Sequence, residues 1–268
     1  VETCFAPVWA WVISWWQGTQ LALALEATTL GQRVVVLAVS VVSRGGASLV
    51  AWGLLPAGAQ HAWRRAWLRL WRRLRPARPH GWTVMVLADG GLYAPWRLRR
   101  ITRVGWHPLW RSNTGGRVRP AGATGWRPLT TVVPQPGTRW RGTGLALTRH
   151  QVPCTLLARW EEGDTDPWLI LTDLAPEASD AGWYGLRAWI EQGFKITKRA
   201  GWQWHRTRMR DPERAARLWL ALAVATLWMV SVGGAADATI PVSTLLDVTG
   251  WCPERPRTRR ATRLRLVR

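Results

Sequence analysis

The fold is decided by residues 21–55, which read LALALEATTLGQRVVVLAVSVVSRGGASLVAWGLL. The stretch contains three apolar runs rich in Val and Leu, each long enough to form a buried strand. The runs are Leu21–Thr29, Arg33–Val42 and Ala47–Leu55. Short turns at Gly31-Gln32 and Arg44–Gly46 separate them, so the pattern predicts an antiparallel meander.

The residues after the meander predict a helix and a fourth strand. His61–Leu74 is predicted to be a helix, because Trp and Leu recur at helical spacing with Arg between them. Trp82–Asp89 is predicted to be the fourth strand and Pro95–Val104 a basic helix. Three antiparallel strands, a helix and another strand follow the order of the ribonuclease H-like fold, in which the first and fourth strands are neighbours. We therefore expect a mixed α/β protein with a ribonuclease H-like core.

Composition favours a polyanionic partner. The 268 residues include 37 basic and 16 acidic ones, a net charge of +21, which a small-metabolite enzyme seldom carries. All but two of the basic residues are Arg, and there are 23 Trp but only two Tyr, a bias typical of GC-rich codons. Codon bias does not remove carboxylates, so it does not explain the excess of positive charge. The three cysteines are far apart in the sequence, with no Cys-x-x-Cys pair, which argues against a disulfide framework and against a zinc ribbon.

Carboxylates are scarce in the first 160 residues, where only Glu2, Glu26 and Asp89 occur. Glu26 closes the apolar residues 21–25 of the first run, and Asp89 ends the fourth predicted strand. A carboxylate at the end of a buried strand is costly unless it is paired or binds a cation. Asp89 before two glycines is equally typical of a turn. Since the first and fourth strands are expected to be neighbours, both carboxylates would lie at one sheet edge, which favours a shared divalent-cation site.

Residues 106–160 differ from their surroundings, because Gly, Pro, Arg and Trp dominate. Their predicted β pieces are Thr130–Val133, Gly144–Thr148 and Thr155–Trp160. We interpret the stretch as an ordered β-rich insertion rather than a disordered linker, and Trp168–Thr172 as a fifth core strand. The expected organisation is a remnant of an N-terminal helical region (1–18), the first part of the core (19–105), the insertion (106–160), the second part of the core (161–236) and a basic tail (237–268).

Apolar or basic segments near the two ends have alternative interpretations. Phe5–Trp16 is expected to be a packed helix, because an acidic residue precedes it where a signal peptide would be basic. Leu218–Ala236 has 19 uncharged residues, enough to span a membrane. Its small residues and the helix start at Asp211–Arg214 favour a buried core helix and no membrane. The tail Arg255–Arg268 has seven Arg and is either a solvated charge run or a DNA-contacting arm.

Residues 183–200, WYGLRAWIEQGFKITKRA, carry the clearest functional pattern. On an α-helix, four polar residues at spacings of 3, 4 and 7 would lie within about 60° of one another on one face. They are Tyr184, Arg187, Glu191 and Lys198. Ordinary surface pairs, Arg187–Glu191 and Glu191–Lys195, would give the same spacing. One of the two Tyr, one of the two Phe and both Lys of the chain lie within 15 residues, which favours a functional stripe.

These residues resemble the signature of the DDE transposases of the bacterial insertion-sequence-four family, Tyr-x2-Arg-x3-Glu-x6-Lys. Tyr184, Arg187, Glu191 and Lys198 match it in type and spacing. Other blocks are also similar to the family and extend the resemblance over about residues 4 to 236. They are Leu23–Trp52 (the first catalytic strand and the two after it), Val86–Trp96 (the second catalytic block), Pro167–Leu174 (the strand before the signature) and Gly201–Trp228 (the helix after it).

The resemblance implies a function and a site. It implies catalytic and metal-binding roles for Glu26, Asp89 and Glu191, which would hold two Mg²⁺ or Mn²⁺ ions. It implies contacts with the phosphates of the transposon end for Tyr184, Arg187 and Lys198, and Lys195 is a further candidate for DNA contact. The implied protein cleaves transposon ends and transfers them into target DNA, as a homodimer on paired ends, in the bacterial cytoplasm at the nucleoid.

Two positions differ from the family pattern. Glu26 stands where the family has Asp, and its carboxylate reaches one methylene further. Misplacement by about 1 Å can cost ~10²-fold in rate. Gly90 stands where relatives have Arg. We therefore expect a transposase with attenuated cleavage. The alternatives are a catalytically decayed, DNA-binding relic of a transposase and, as a third interpretation, a membrane-anchored protein.

Overall fold

The computed structural model describes residues 1–236 except Gly31, Arg44, Gly45, Tyr93, Ile196 and Lys198–Ala200. Within these residues the α-helices are α1 (Phe5–Ser14), α2 (Trp63–Leu74), α3 (Pro95–Arg103), α4 (Ala188–Lys195) and α5 (Pro212–Ala236). The strands are β1 (Gln20–Leu30), β2 (Val34–Ser43), β3 (Gly46–Pro56), β4 (Thr83–Ala88), β5 (His107–Arg111), β6 (Arg117–Pro120), β7 (Arg127–Pro128), β8 (Arg139–Ala146), β9 (Val152–Arg159) and β10 (Trp168–Thr172).

The meander predicted from residues 21–55 is confirmed, because β1, β2 and β3 pair antiparallel in sequence order. β2 is buried along nearly its whole length, as expected for an apolar strand covered on both faces. β4 lies beside β1 in parallel, with Leu25 opposite Ala88. The prediction that the first and fourth strands are neighbours is therefore confirmed.

The described strands form one sheet in the order β3-β2-β1-β4-β5-β10-β9-β8-β6-β7. β5 is parallel to β4, and β10 is antiparallel to β5. The fifth position of the sheet therefore belongs to β5, which lies in the stretch interpreted as insertion, and β10 takes the sixth. α3 connects β4 to β5, and such a helical crossover lets two parallel strands pair. The protein is thus mixed α/β, with parallel and antiparallel strands in one sheet.

The far half of the sheet contains the β pieces predicted for the insertion. Gly144–Thr148 and Thr155–Trp160 overlap β8 and β9. The prediction of a strand at Thr130–Val133 is wrong, because Leu129–Val132 forms a 3₁₀-helix. Its β-branched residues have strand propensity, but propensity gives way to packing. Here Leu129 and Val133 are buried in an apolar cluster with residues of β6, β8, β9 and β10.

Helices cover both faces of the first half of the sheet. Residues of α1, α2, α3 and α5 form one apolar cluster with alternate residues of β1 such as Leu23. The other face of β1, which includes Ala24, packs against Tyr184 and Ile190. Side chains alternate between the faces of a strand. Glu26 therefore belongs to the same face as Tyr184.

Both apolar end segments are helical within the described residues. In α1, Phe5 and Trp9 are fully buried, so the prediction of a packed helix is confirmed. α5 is long and apolar enough to cross a membrane by length and composition, which is weak evidence because core helices pass the same test. Trp219 and Leu227 are buried on the sheet, but only 22% of the apolar window is buried. The prediction of a buried core helix holds for one face only, since Trp228 is 64% exposed.

Candidate active site

Glu26 and Asp89 are brought together by the parallel pairing of β1 and β4. Leu25 lies opposite Ala88, so the residue that follows each of them carries a carboxylate. The expectation that Glu26 ends its strand is wrong, because β1 continues to Leu30 and Glu26 pairs with Ala38 of β2. β4 ends at Ala88, and Asp89 begins a turn in which its Oδ1 accepts a hydrogen bond from the Gly90 N–H over 2.7 Å. One carboxylate oxygen of Asp89 therefore stabilises the turn, and the other is available to the site.

The segment that carries the family signature, residues 183–200 (the signature segment), is not a single helix in its described part. A 3₁₀-helix, Ala181–Arg187, precedes α4, so the prediction of one α-helix over these residues is wrong for its first part. The Asp180 carboxylate accepts a hydrogen bond from the Gly182 N–H over 2.6 Å and caps the 3₁₀-helix. Glycine has low α-helix propensity, which favours the tighter turn here. Residues three apart eclipse in a 3₁₀-helix, so Tyr184 and Arg187 still share a face.

Arg187 lies between the three acidic residues. Its Nη2 is 3.4 Å from Glu26 Oε2 and 3.2 Å from Asp89 Oδ2. Its Nη1 is 3.4 Å from Glu191 Oε1, the i,i+4 pair expected from the spacing. The arginine side chain is 17% exposed, whereas that of Glu191 is 72% exposed. β1, the end of β4 and α4 therefore converge on one guanidinium group.

The chemistry of this donor set suits a hard divalent cation, because Mg²⁺ and Mn²⁺ prefer oxygen ligands. Among the residues that the structure describes, however, no three His, Cys, Asp or Glu side chains lie close enough together to hold a metal ion. The guanidinium of Arg187 takes the position between the carboxylates instead. Three carboxylates around one arginine keep a net negative charge, which attracts cations.

Tyr184 connects the signature segment to the end of β4. Its side chain is buried, with the ring packed edge-on against Trp168 at 5.6 Å between centroids. The hydroxyl donates a long hydrogen bond of 3.5 Å to the Ala88 carbonyl, directly before Asp89. Burial raises the pKa of Tyr184 to about 12, against an opposing effect of the Arg187 charge. The phenol therefore stays protonated near neutral pH and remains a hydrogen-bond donor.

The end of α4 carries the remaining predicted DNA contacts. Lys195 is exposed at the last position of the helix, and Lys198 lies outside the described residues, as does the basic tail. Gly193 allows α4 to approach β3 closely, because a Cβ at this position would lie 2.9 Å from the Ala47 carbonyl oxygen. This close approach helps to fix the position of Glu191, two residues earlier.

Arg187 was expected from the family resemblance to contact DNA phosphates, and its contacts with Glu26 and Asp89 were not predicted. These contacts join residues 161 and 98 positions apart, so no local pattern indicates them. The only sequence signal was the i,i+4 spacing of Arg187 and Glu191. The sheet register and the packing of the 3₁₀-helix determine the rest.

The comparison with known families bears on the same residues. A family model described as the transposase DDE domain matches residues 58–228, more than half of the chain. The match includes Asp89, Arg187 and Glu191 and begins after Glu26. No curated protein matches the chain. DDE transposase domains act on DNA and generally use divalent metal ions. Because this match covers β4 to β10, the chain belongs to the transposase DDE domain family.

Proposed function

We propose that the chain is a transposase that cleaves DNA at transposon ends and transfers the freed 3′ ends into target DNA. The observation that carries the proposal is the convergence of Glu26, Asp89 and Glu191 on Arg187, at distances of 3.2 to 3.4 Å. Clustered carboxylates are what metal-dependent cleavage of a phosphodiester requires. The order of β1 to β4 supports a ribonuclease H-like core, with β6 to β9 as an insertion between the second and third carboxylates.

The residues of the candidate site have different proposed roles. Glu26, Asp89 and Glu191 would hold two Mg²⁺ or Mn²⁺ ions, which when bound activate a water and stabilise the leaving oxygen. Arg187 carries a planar cationic fork that suits a backbone phosphate, and it lies beside the carboxylates. In this proposal Arg187 contacts the carboxylates in the free protein and a phosphate when DNA is bound.

The other proposed DNA contacts differ in exposure. Lys195 is exposed at the end of α4, so its ammonium group can reach a phosphate without rearrangement. Tyr184 is 5% exposed, so a phosphate contact would require the adjacent surface to open. Its hydroxyl also keeps the 3₁₀-helix against β4, which positions Arg187. Lys198 is proposed from the signature spacing alone.

Nicking of DNA that carries the sequences flanking the gene tests the proposal. With Mn²⁺ present, the wild-type chain should nick this DNA, and Asp89→Asn should lower the rate by ~10²-fold or more, because it removes a carboxylate from the site. Glu177→Gln is a matched control, since Glu177 is exposed and outside the site. Equal nicking by the wild type and Asp89→Asn would contradict the proposed active site.

The identity of residue 26 tests the proposed attenuation. Glu26→Asp restores the family's residue and should raise Mn²⁺-dependent nicking by ~10²-fold, because a carboxylate misplaced by about 1 Å is corrected. The rate is measured on the same flanking DNA under single-turnover conditions. No gain from Glu26→Asp would show that the longer side chain is not what limits cleavage.

A second candidate function is that of a DNA-binding relic without cleavage, which Glu26 and Gly90 favour. It predicts binding of DNA with no nicking in the wild type or in Glu26→Asp.

We further propose that the protein acts as a homodimer on paired transposon ends, at the nucleoid in the bacterial cytoplasm. The signature resemblance supports this assembly, and sedimentation in the presence of flanking DNA tests it. The packing of α5 on the sheet favours a DNA-acting protein over a membrane-anchored protein.

A further inference from the structure

An arginine-lined groove lies between α2 and α3. It has a volume of about 680 Å³, and its apolar lining comes from Leu68 and Trp96. Both helices contribute cationic side chains to its walls. They are Arg64, Arg65, Arg69 and Arg72 from α2, and Arg99, Arg100 and Arg103 from α3. The sequence predicts arginines on both helices, but no local pattern places them on the two walls of one groove.

The fold does not need these arginines. α2 packs on the sheet through Trp67, Leu70, Trp71 and Leu74, and α3 packs through Leu98 and Ile101. All the arginines of the groove are exposed except Arg100, which is half-buried. Like charges three or four residues apart, such as Arg65 and Arg69, destabilise a helix. A cluster of this size therefore reduces stability, and an anionic ligand would relieve the repulsion.

Little negative charge compensates the groove. Within the described part of the chain, one carboxylate pairs with a groove arginine, at 3.4 Å between Arg69 Nη1 and Glu2 Oε1. The guanidinium of Arg64 lies 5.2 Å from the Trp96 ring centroid, which orients it over the floor of the groove. Arg65, Arg72 and Arg103 have no ion pair or hydrogen bond among the described residues. Their donors are free to bind a ligand.

The groove is separate from the candidate active site, where Glu26, Asp89 and Glu191 surround Arg187. α2 and α3 pack in the apolar cluster that contains Leu23 and Val86. The 3₁₀-helix and α4 pack on the opposite face of the sheet, against Ala24 and Leu87. A ligand in the groove therefore occupies a different surface from one bound beside Arg187.

We propose that this groove binds the phosphate backbone of double-stranded DNA, at a segment away from the cleaved bond. The choice of DNA as partner rests on the proposed function. Arginine forks bind phosphate oxygens in a bidentate way. Arg65 and Arg72 are about 10 Å apart along α2, which corresponds to about three phosphates of one strand along the duplex axis. Contacts of this kind carry no sequence information, so the groove orients DNA of any sequence.

The groove fits a duplex better than a membrane surface. A helix that lies on a lipid surface needs an apolar face to insert. The apolar faces of α2 and α3 are already buried on the sheet. The two helices therefore present charge without an insertable apolar face.

Salt-dependent binding tests the proposal with a triple variant, Arg65→Gln, Arg72→Gln and Arg103→Gln. Its matched control is Arg127→Gln, Arg149→Gln and Arg208→Gln, which removes the same charge at exposed positions outside the groove. Binding of a random duplex of about 30 base pairs is measured by fluorescence anisotropy in EDTA, over about 50 to 200 mM salt. We expect the groove variant to lower the slope of log affinity against log salt by about 3, and to lose roughly 10²-fold or more in affinity at about 0.1 M salt. The control should lose much less.

The outcomes separate this inference from the cleavage proposal. Equal losses of duplex affinity in the groove variant and the control would contradict the proposal that the groove binds DNA. A groove variant that keeps duplex binding but loses binding of single-stranded RNA or of anionic vesicles would also overturn it. Thermal unfolding monitored by circular dichroism should be similar in all three proteins, since the substituted residues are exposed. Asp89→Asn should lose nicking and keep the full salt slope, so that either proposal can fail without the other.

Discussion

At the scale of single residues, the position of Arg187 is the main feature of the candidate site. An arginine within 3.4 Å of three carboxylates neutralises part of their mutual repulsion. It also competes with any cation for the same oxygens. Its Nε is buried without a hydrogen-bond partner among the described residues, which leaves part of the guanidinium unsatisfied in this arrangement. A phosphate that drew Arg187 away would free the carboxylates for metal ions.

Arg187→Gln should therefore raise the affinity of the DNA-free protein for Mn²⁺. A unit charge at about 4 Å is worth about 1 to 4 kcal/mol near a protein surface, so the gain in affinity should be about fivefold or more. Isothermal titration with Mn²⁺ measures it, and Arg127→Gln is a control with the same change in net charge. Unchanged Mn²⁺ affinity in Arg187→Gln would contradict competition between the arginine and the cation.

At the scale of elements, most helices and strands were predicted from local patterns, and the failures have local causes. The apolar runs of β1 to β3 and the helical spacing in α2 were sufficient. Thr130–Val133 was mistaken for a strand because β-branched residues favour strands only where a neighbouring strand is available. The signature segment was mistaken for one α-helix because Tyr184 and Arg187 are three residues apart. Side chains at this spacing share a face in a 3₁₀-helix and also in an α-helix, so the spacing does not distinguish the two.

The contact between α4 and β3 gives a prediction at this scale. Gly193→Ala would place a Cβ 2.9 Å from the Ala47 carbonyl oxygen, so α4 must shift and carry Glu191 with it. Overpacking of this kind costs about 1 to 3 kcal/mol, and the higher helix propensity of Ala offsets about 1 kcal/mol, so we expect a net loss of up to about 2 kcal/mol in the free energy of unfolding. Urea unfolding measures the loss, and nicking should fall as well.

Gly115→Ala is the control for this substitution, because a Cβ there meets no atom within 4 Å. It should change the free energy of unfolding by less than about 0.5 kcal/mol. A Gly193→Ala variant as stable and as active as the wild type would show that the close approach does not position Glu191.

At the scale of the whole molecule, the sheet joins two differently packed halves. Tryptophans such as Trp52, Trp71 and Trp219 fill the cluster under α1, α2 and α5. The far half, from β6 to β9, has a smaller cluster of Val, Leu and Ala. The tryptophans attributed to codon bias thus contribute much of the packing volume. α5 lies on the first half, where Trp52 Nε1 donates a hydrogen bond to the Ala216 carbonyl over 3.1 Å.

Two tryptophans of α5 test whether the helix packs on the sheet. Trp219 is 1% exposed and Trp228 is 64% exposed. Trp219→Ala should lower the free energy of unfolding by about 3 to 5 kcal/mol, because it leaves a cavity in the core. Trp228→Ala should change it by less than about 0.5 kcal/mol. Equal effects in chemical denaturation would contradict the packing of α5 and favour the membrane-anchored alternative.

The sequence alone determined the meander, the neighbouring first and fourth strands and the candidate residues Glu26, Asp89 and Glu191. Periodicity encodes the strands of the meander locally. The neighbouring strands were expected from the order of the ribonuclease H-like fold, and the role of Glu191 was implied by the family resemblance. Only the tertiary structure decided that Arg187 contacts all three carboxylates, that β5 precedes β10 in the sheet, and that the arginines of α2 and α3 share a groove. Each of these depends on the register and packing of elements far apart in the chain, which local propensity does not specify.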